Sequence, residues 1–165
     1  MSKINIFIWC SKLQILDLMN YFVYNKKCKY EILVWCKTNP QPSTNNTWLP
    51  DIEYCLYFRE EGVKYNDRYE LKSKFYISPI NINDKNKFSH PTIKPIELVK
   101  RHLLHTTQPN DVVLDCFMGS GTTCVACKDI GRKYIGFEIE KKWYDIAVDR
   151  LNSIDANGQI SFLLN

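Results

Sequence analysis

An α/β fold on a mostly parallel sheet is the class this sequence predicts, and three observations predict it. Residues 115–123 read D-C-F-M-G-S-G-T-T and follow the apolar run Val112, Val113, Leu114. Seventeen residues past Gly121 an acid, Glu138, ends a second strand-like run. Short apolar runs alternate with helix-period stretches along the chain, and such alternation implies a sheet covered on both faces. A strand, a small-residue turn and a helix suit a nucleoside-type ligand. Gly119 and Gly121 let the backbone approach it closely, and the helix start offers N–H groups.

The elements follow in order. Residues 4–10 (I-N-I-F-I-W-C) predict a buried strand. Leu13, Leu16, Met19 and Val23 recur at helical spacing and predict a helix over 12–24. Residues 31–36 (E-I-L-V-W-C) form a second strand, and the turn-rich T-N-P-Q-P-S-T-N-N-T after it forms a loop. Residues 53–59 (E-Y-C-L-Y-F-R) predict a third strand, and residues 60–89 are polar and irregular. Pro95 opens a helix carrying Ile96, Val99 and Leu103, because proline is well placed in a first turn. Residues 111–115, 121–130, 133–138 and 141–152 then predict strand, helix, strand, helix, with a short strand over 159–164.

Composition sets bounds. A chain of 165 residues with 45% hydrophobic residues predicts one domain with a real core. A net charge of +4 permits nucleic-acid binding without demanding it. Seven cysteines, an odd number lying mostly in apolar runs, predict reduced, buried thiols in a cytoplasmic protein. Cys124 and Cys127 form a lone C-x-x-C, one helical turn apart, which predicts core packing rather than zinc or redox chemistry. His102 and His105 have no carboxylate or cysteine pattern to make them metal ligands. No signal-peptide pattern and no apolar run of ~18 residues is present, so no membrane span is expected.

From His90 onward the chain reads H-P-T-I-K-P, a helix, D-V-V-L-D-C-F-M-G-S-G-T-T and R-K-Y-I-G-F-E-I-E, then Trp143-Tyr144. This resembles the adenosylmethionine-dependent DNA amino-methyltransferases, which modify adenine or cytosine on the exocyclic nitrogen. The order resembles the subgroup with the catalytic half first and the cofactor half last. N-I-F-I-W-C-S-K, E-I-L-V-W-C-K-T-N-P and L-P-D-I-E-Y-C-L-Y-F-R-E resemble the strands after that subgroup's catalytic motif. The resemblance covers nearly the whole chain. It implies a Rossmann-like methyltransferase domain over 1–165: post-catalytic strands over 1–59, a target-recognition insert over 60–89 and a cofactor-binding part over 90–165.

The resemblance also implies roles for individual residues. Asp115 would bind the amino group of S-adenosylmethionine, since a carboxylate suits an ammonium. Phe117 would line the cofactor pocket. Gly119, Ser120 and Gly121 would form the turn, with Thr122 supplying a hydroxyl. Glu138 would accept hydrogen bonds from the ribose, Ile139 would pack on the adenine, and Thr92 and Lys94 would help hold the methionine end.

One departure stands out. Family members carry a D-P-P-Y, N-P-P-Y or S-P-P-Y loop that accepts hydrogen bonds from the target amine and stacks on the flipped base. The prolines here stand at 40, 42, 50, 79, 91, 95 and 109, and no two are adjacent. Asn39-Pro40-Gln41-Pro42 follows the wrong strand and lacks the aromatic residue. No catalytic residue is therefore assigned. By resemblance the absent strand is central in the sheet, so the expectation is an incomplete sheet that needs a complementary N-terminal segment.

Residues 62–89 hold six basic residues against three acids. Lys64, Arg68, Lys72 and Lys74 interleave with Tyr65, Tyr69, Phe75 and Tyr76, a mixture suited to phosphate contacts and stacking on double-stranded DNA. The resemblance places target recognition in this interval. Three functions stay open: an adenine-N6 methyltransferase in truncated or split form (cytosine-N4 as its variant), an inactive adenosylmethionine- or DNA-binding remnant, and a nicotinamide-dependent oxidoreductase. The last is weakened because Cys124 stands where the third glycine of G-x-G-x-x-G belongs.

Overall fold

The computed structural model describes residues 3–43, 48–80 and 93–154. The chain divides into two compact units, residues 1–80 and 81–165.

The first unit is built on a four-stranded sheet: β1 (Asn5–Cys10), β2 (Lys29–Lys37), β3 (Ile52–Arg59) and β4 (Phe75–Ser78), in spatial order β1-β3-β2-β4. β3 runs antiparallel to both its neighbours, while β4 runs parallel to β2. β1, β2 and β4 thus share one direction and β3 alone opposes them. The reason is in the connections. A helical crossover joins β1 to β2, and a parallel strand needs such a crossover, whereas an antiparallel neighbour such as β3 does not. β4 arises inside the stretch read as irregular, because its four residues bond to β2 rather than declaring themselves by a long apolar run.

β3 is the centre of this unit. Cys55, Leu56, Tyr57 and Phe58 are all buried, so both faces of the strand are covered. On one face Leu56 and Phe58 meet Ile15, Leu18, Met19, Phe22 and Val23 from the helical crossover. Phe22 stacks on Phe58 with ring centroids 4.5 Å apart. The crossover starts as α1 (Ile15–Met19) and continues as a π-helical stretch (Asn20–Asn25), where the Lys26 N–H reaches back to the Tyr21 carbonyl. Lys27, at φ 58°, then turns the chain into β2. On the other face Tyr57 stacks on Phe7 at 4.4 Å and its hydroxyl donates to Asn5 Oδ1.

The second unit holds α2 (Ile96–Thr106), β5 (Val112–Asp115), α3 (Thr122–Asp129), β6 (Lys133–Gly136) and α4 (Lys141–Asn152). β5 and β6 pair in parallel, Val112 with Lys133 through Asp115 with Gly136. Val113 and Tyr134 turn to one face and pack with Leu103, Ala126 and Cys127 of the helices. Val112, Leu114, Ile135 and Phe137 are exposed. Arg132 ties the helix ends together: Nη1 donates to the Ile130 carbonyl and Nη2 to the Thr107 carbonyl. The strand expected over 159–164 lies outside the described residues. Among the described residues no helix is long and apolar enough to cross a membrane.

Candidate functional site

β5 delivers Asp115 to its carboxyl end, and the next residues fold into a tight turn. The Asp115 Oδ1 accepts the Phe117 N–H at 3.0 Å, an Asx-type turn that starts the reversal. The second carboxylate oxygen has no partner among the described residues. The Met118 N–H donates to the Phe137 carbonyl at 3.0 Å, and the Gly121 N–H returns to the Met118 carbonyl at 2.8 Å. Gly119 and Gly121 hold φ values of 52° and 79°, the left-handed region that disfavours side chains. At Gly121 space is short as well, since a Cβ there would lie 2.8 Å from the Ala147 Cβ of α4.

Glu138 closes the turn from the other strand. Its Oε2 accepts the Gly119 N–H and its Oε1 the Glu140 N–H, each at 2.9 Å. One carboxylate therefore fixes both the glycine turn and the start of α4. A carboxylate offers about four acceptor positions, so lone pairs remain for a pair of ligand hydroxyls. Around these acids stand two apolar side chains with almost no protein cover: Phe117 is 91% exposed and Ile139 95%. β5, β6 and their following loops thus bring Asp115, Phe117, Gly119, Gly121, Glu138 and Ile139 into one stretch of surface.

Ser120 and Thr122 behave differently. Both are buried, and their hydroxyls accept from the Arg150 Nη1, at 3.0 and 3.2 Å. Thr122, expected from the resemblance to supply a hydroxyl, accepts from Arg150 Nη1 through that oxygen. Arg150 itself was missed in the sequence. Its signal was faint: an arginine three residues after Ala147 on the inward face of an amphipathic helix. Lys94 is half-buried just ahead of α2, and Thr92 lies outside the described residues.

Of the seven cysteines, expected from the sequence to be buried, Cys28, Cys55, Cys124 and Cys127 are buried, Cys10 and Cys36 are half-buried and Cys116 is exposed. Cys124 and Cys127 are buried, and burial pushes their thiols up to about 11 and about 12. All seven cysteines are free. Burial, followed by Arg101 and His105, holds His102 down at about 4. Among the described residues no group of histidines, cysteines and acids could hold a metal ion.

A family model described as DNA methylase, of the N6/N4 methyltransferases, matches residues 4–149. The chain belongs to that family. Among curated relatives, type II methyltransferase M2.LlaDCHI of Lactococcus lactis subsp. cremoris is 35% identical over 133 residues, 73% of this chain and 49% of the relative. Type II methyltransferase M.HinfI of Haemophilus influenzae is 30% identical over 142 residues, 76% of this chain and 40% of the relative. The chain thus spans about half the length, or less, of these relatives. Among solved structures the M1.HpyAVI–SAM complex superposes with a TM-score of 0.79 at 32% identity, covering 90% of this chain and 74% of that one. The cytosine-N4-specific PvuII DNA methyltransferase shares the fold, with a TM-score of 0.69 at 18% identity, 83% of this chain and 56% of that one. The α/β architecture is that Rossmann-like methyltransferase fold.

The basic residues of the first unit, Lys64, Arg68, Lys72 and Lys74, are all exposed. Two of them already have anionic partners: Lys72 pairs with Asp67 and Lys74 with Glu31, each at 2.5 Å. Tyr65 lies under the Arg59 guanidinium, 4.9 Å from its ring centre, and so is engaged within the fold. Tyr69 is exposed. Lys85 and Lys87 lie outside the described residues.

Proposed function

We propose that this chain binds S-adenosylmethionine and serves methyl transfer to an exocyclic amine of double-stranded DNA, with adenine N6 as the target and cytosine N4 as the variant. One observation carries the reading. Glu138 pins the glycine turn through the Gly119 N–H while Asp115 keeps a carboxylate oxygen without a partner among the described residues. The donor set fits the cofactor. Asp115 would take its ammonium, Glu138 its ribose hydroxyls, and Phe117 and Ile139 would sandwich its adenine, gaining burial they lack on their own. Lys94 and Thr92 would serve its carboxylate end. The cofactor supplies an electrophilic methyl group on a sulfonium.

The residues of this chain bind and orient. The turn glycines bring backbone close, the acids match the cofactor's cation and diol, and the apolar pair keeps water from the adenine. Lys64, Arg68, Lys72 and Lys74 with Tyr69 would follow the DNA backbone, the lysines exchanging their exposed carboxylate partners for phosphates. Acceptors for the target amine, of the P-P-Y type, would come from a complementary segment, in the same polypeptide or another. The exposed apolar sheet face at Val112, Leu114, Ile135 and Phe137 supports such a partner.

The test has two stages. Calorimetry with S-adenosylmethionine should show one site per chain, and no binding would end the proposal. Labelled-methyl transfer to unmethylated DNA, with nucleoside analysis, should then yield methyladenine only when a P-P-Y-bearing segment is supplied. Transfer by this chain alone would refute the need for that segment. Methylcytosine would move the target to N4.

A further inference from the structure

Arg150 is the one charged side chain among the described residues that is buried, at 7% exposure. It stands on α4 three residues after Ala147, so the two share a face of the helix. Both meet the same short stretch of chain. Ala147 fills the space beside Gly121. Arg150 Nη1 donates to the Ser120 carbonyl at 2.6 Å, the Ser120 hydroxyl at 3.0 Å and the Thr122 hydroxyl at 3.2 Å. A single nitrogen thus gathers three oxygens from the two residues that flank Gly121.

This arrangement is poorly placed as a simple stability device. A buried guanidinium is costly unless it is well hydrogen-bonded. The start of α3 already carries the positive end of a helix dipole, where a cation is disfavoured and an anionic ligand group favoured. The geometry accounts for the choice. Glycine lets the chain enter the left-handed region, but it also leaves the peptides beside it free to rotate. A guanidinium nitrogen that grips the Ser120 carbonyl from the interior stops that rotation. It turns the Ser120–Gly121 carbonyl inward and holds the surrounding backbone in one orientation.

We propose that Arg150 is the positioning residue of the glycine turn: from behind, it locks residues 119–122 in the orientation that receives the cofactor. The inference rests on the reading of that turn as an S-adenosylmethionine site. It assigns Ser120 and Thr122 to the lock rather than to direct ligand contact.

The experiment compares wild type, Arg150→Met and Arg150→Lys. Binding of S-adenosylmethionine and S-adenosylhomocysteine is measured by calorimetry, and amide hydrogen exchange is followed residue by residue. Arg150→Met should weaken both ligands about tenfold to a hundredfold, by analogy with the loss of a group that orients a metal-ligating residue. Amides of residues 119–123 should exchange faster while those of Val113 and Tyr134 stay protected. Arg150→Lys, which keeps one donor for the Ser120 carbonyl, should fall between the two. If Arg150→Met fails to fold, Arg150→Lys carries the test through the same selective exchange. Wild-type affinity in Arg150→Met overturns the proposal, and so does faster exchange spread evenly over the unit in whichever variant folds. Failure of the wild type to bind either ligand would sink the cofactor reading, while the exchange arm would still decide whether Arg150 holds the turn.

Discussion

The two units spend their buried surface differently. The first builds a core of large rings and aliphatic chains around β3, and its candidate DNA-facing residues sit on the exterior in exposed ion pairs. The second packs small residues, Cys124, Ala126, Cys127 and Ala147, among its buried side chains, and its candidate site hangs side chains on a backbone turn held at defined angles. Side chains that reach into solvent can be exchanged with little effect on the fold. A site whose side chains are set by a backbone turn cannot be separated from the packing that shapes that turn.

That contrast can be broken at several points. The largest effect is expected from Phe58→Ala, which removes a ring with no exposed surface and should cost about 3–5 kcal/mol. Chemical denaturation should show it as a loss of the first unit, with the cofactor titration unchanged wherever the second unit stays folded. Gly121→Ala comes next. A Cβ at φ 79°, 2.8 Å from Ala147, combines backbone strain with overlap and should cost about 2–4 kcal/mol. Here stability and cofactor affinity should fall together, because the same atoms serve both.

Glu138→Gln sharpens the comparison further. The amide keeps one acceptor oxygen and presents an NH2 to the other backbone donor, so either Gly119 or Glu140 loses its partner. About 1–3 kcal/mol should be lost, and calorimetry should show a cofactor Kd raised about tenfold, as expected for one good hydrogen bond to a charged group. An unchanged Kd would remove Glu138 from the ligand.

Acid should act on the second unit through His102. Its folded value of about 4 lies below the ordinary 6.5, so between these values the unfolded chain takes up a proton that the folded chain refuses. Stability is therefore full above pH 6.5 and declines as pH falls toward 4, by on the order of 1–2 kcal/mol once partial solvent contact is allowed for. His102→Gln should flatten that part of the pH–stability curve. The smallest effect on the fold is expected from Lys72→Ala with Lys74→Ala. The thermal midpoint should not move measurably, while DNA affinity should weaken and depend less steeply on salt. An unchanged salt slope would take both lysines off the interface.

Much of this was legible beforehand because it is local. A strand, a glycine turn and a helix occupy consecutive residues, so the sequence alone predicted β5, α3, β6 and α4 to within two residues and put Asp115 at a strand end; β6 stops at Gly136, so Glu138, expected to end that strand, lies two residues beyond it. Hydrophobic period likewise predicted β1, β2, β3 and α2. Three features required the tertiary structure. β4 is no shorter than β5 or β6 but lacks the glycine turn and helix that frame those strands in the sequence, and its pairing with β2 exists only in the fold. The opposite direction of β3 follows from which strands it joins, and composition does not record that. Arg150 and Thr122 lie twenty-eight residues apart, and their meeting depends on α4 folding back over the turn. Sequence determines what each segment can form, because backbone preference and apolar period act over a few residues. Which buried donor finds which buried acceptor is decided by packing, because close contact over long chain separations exists only in the folded state.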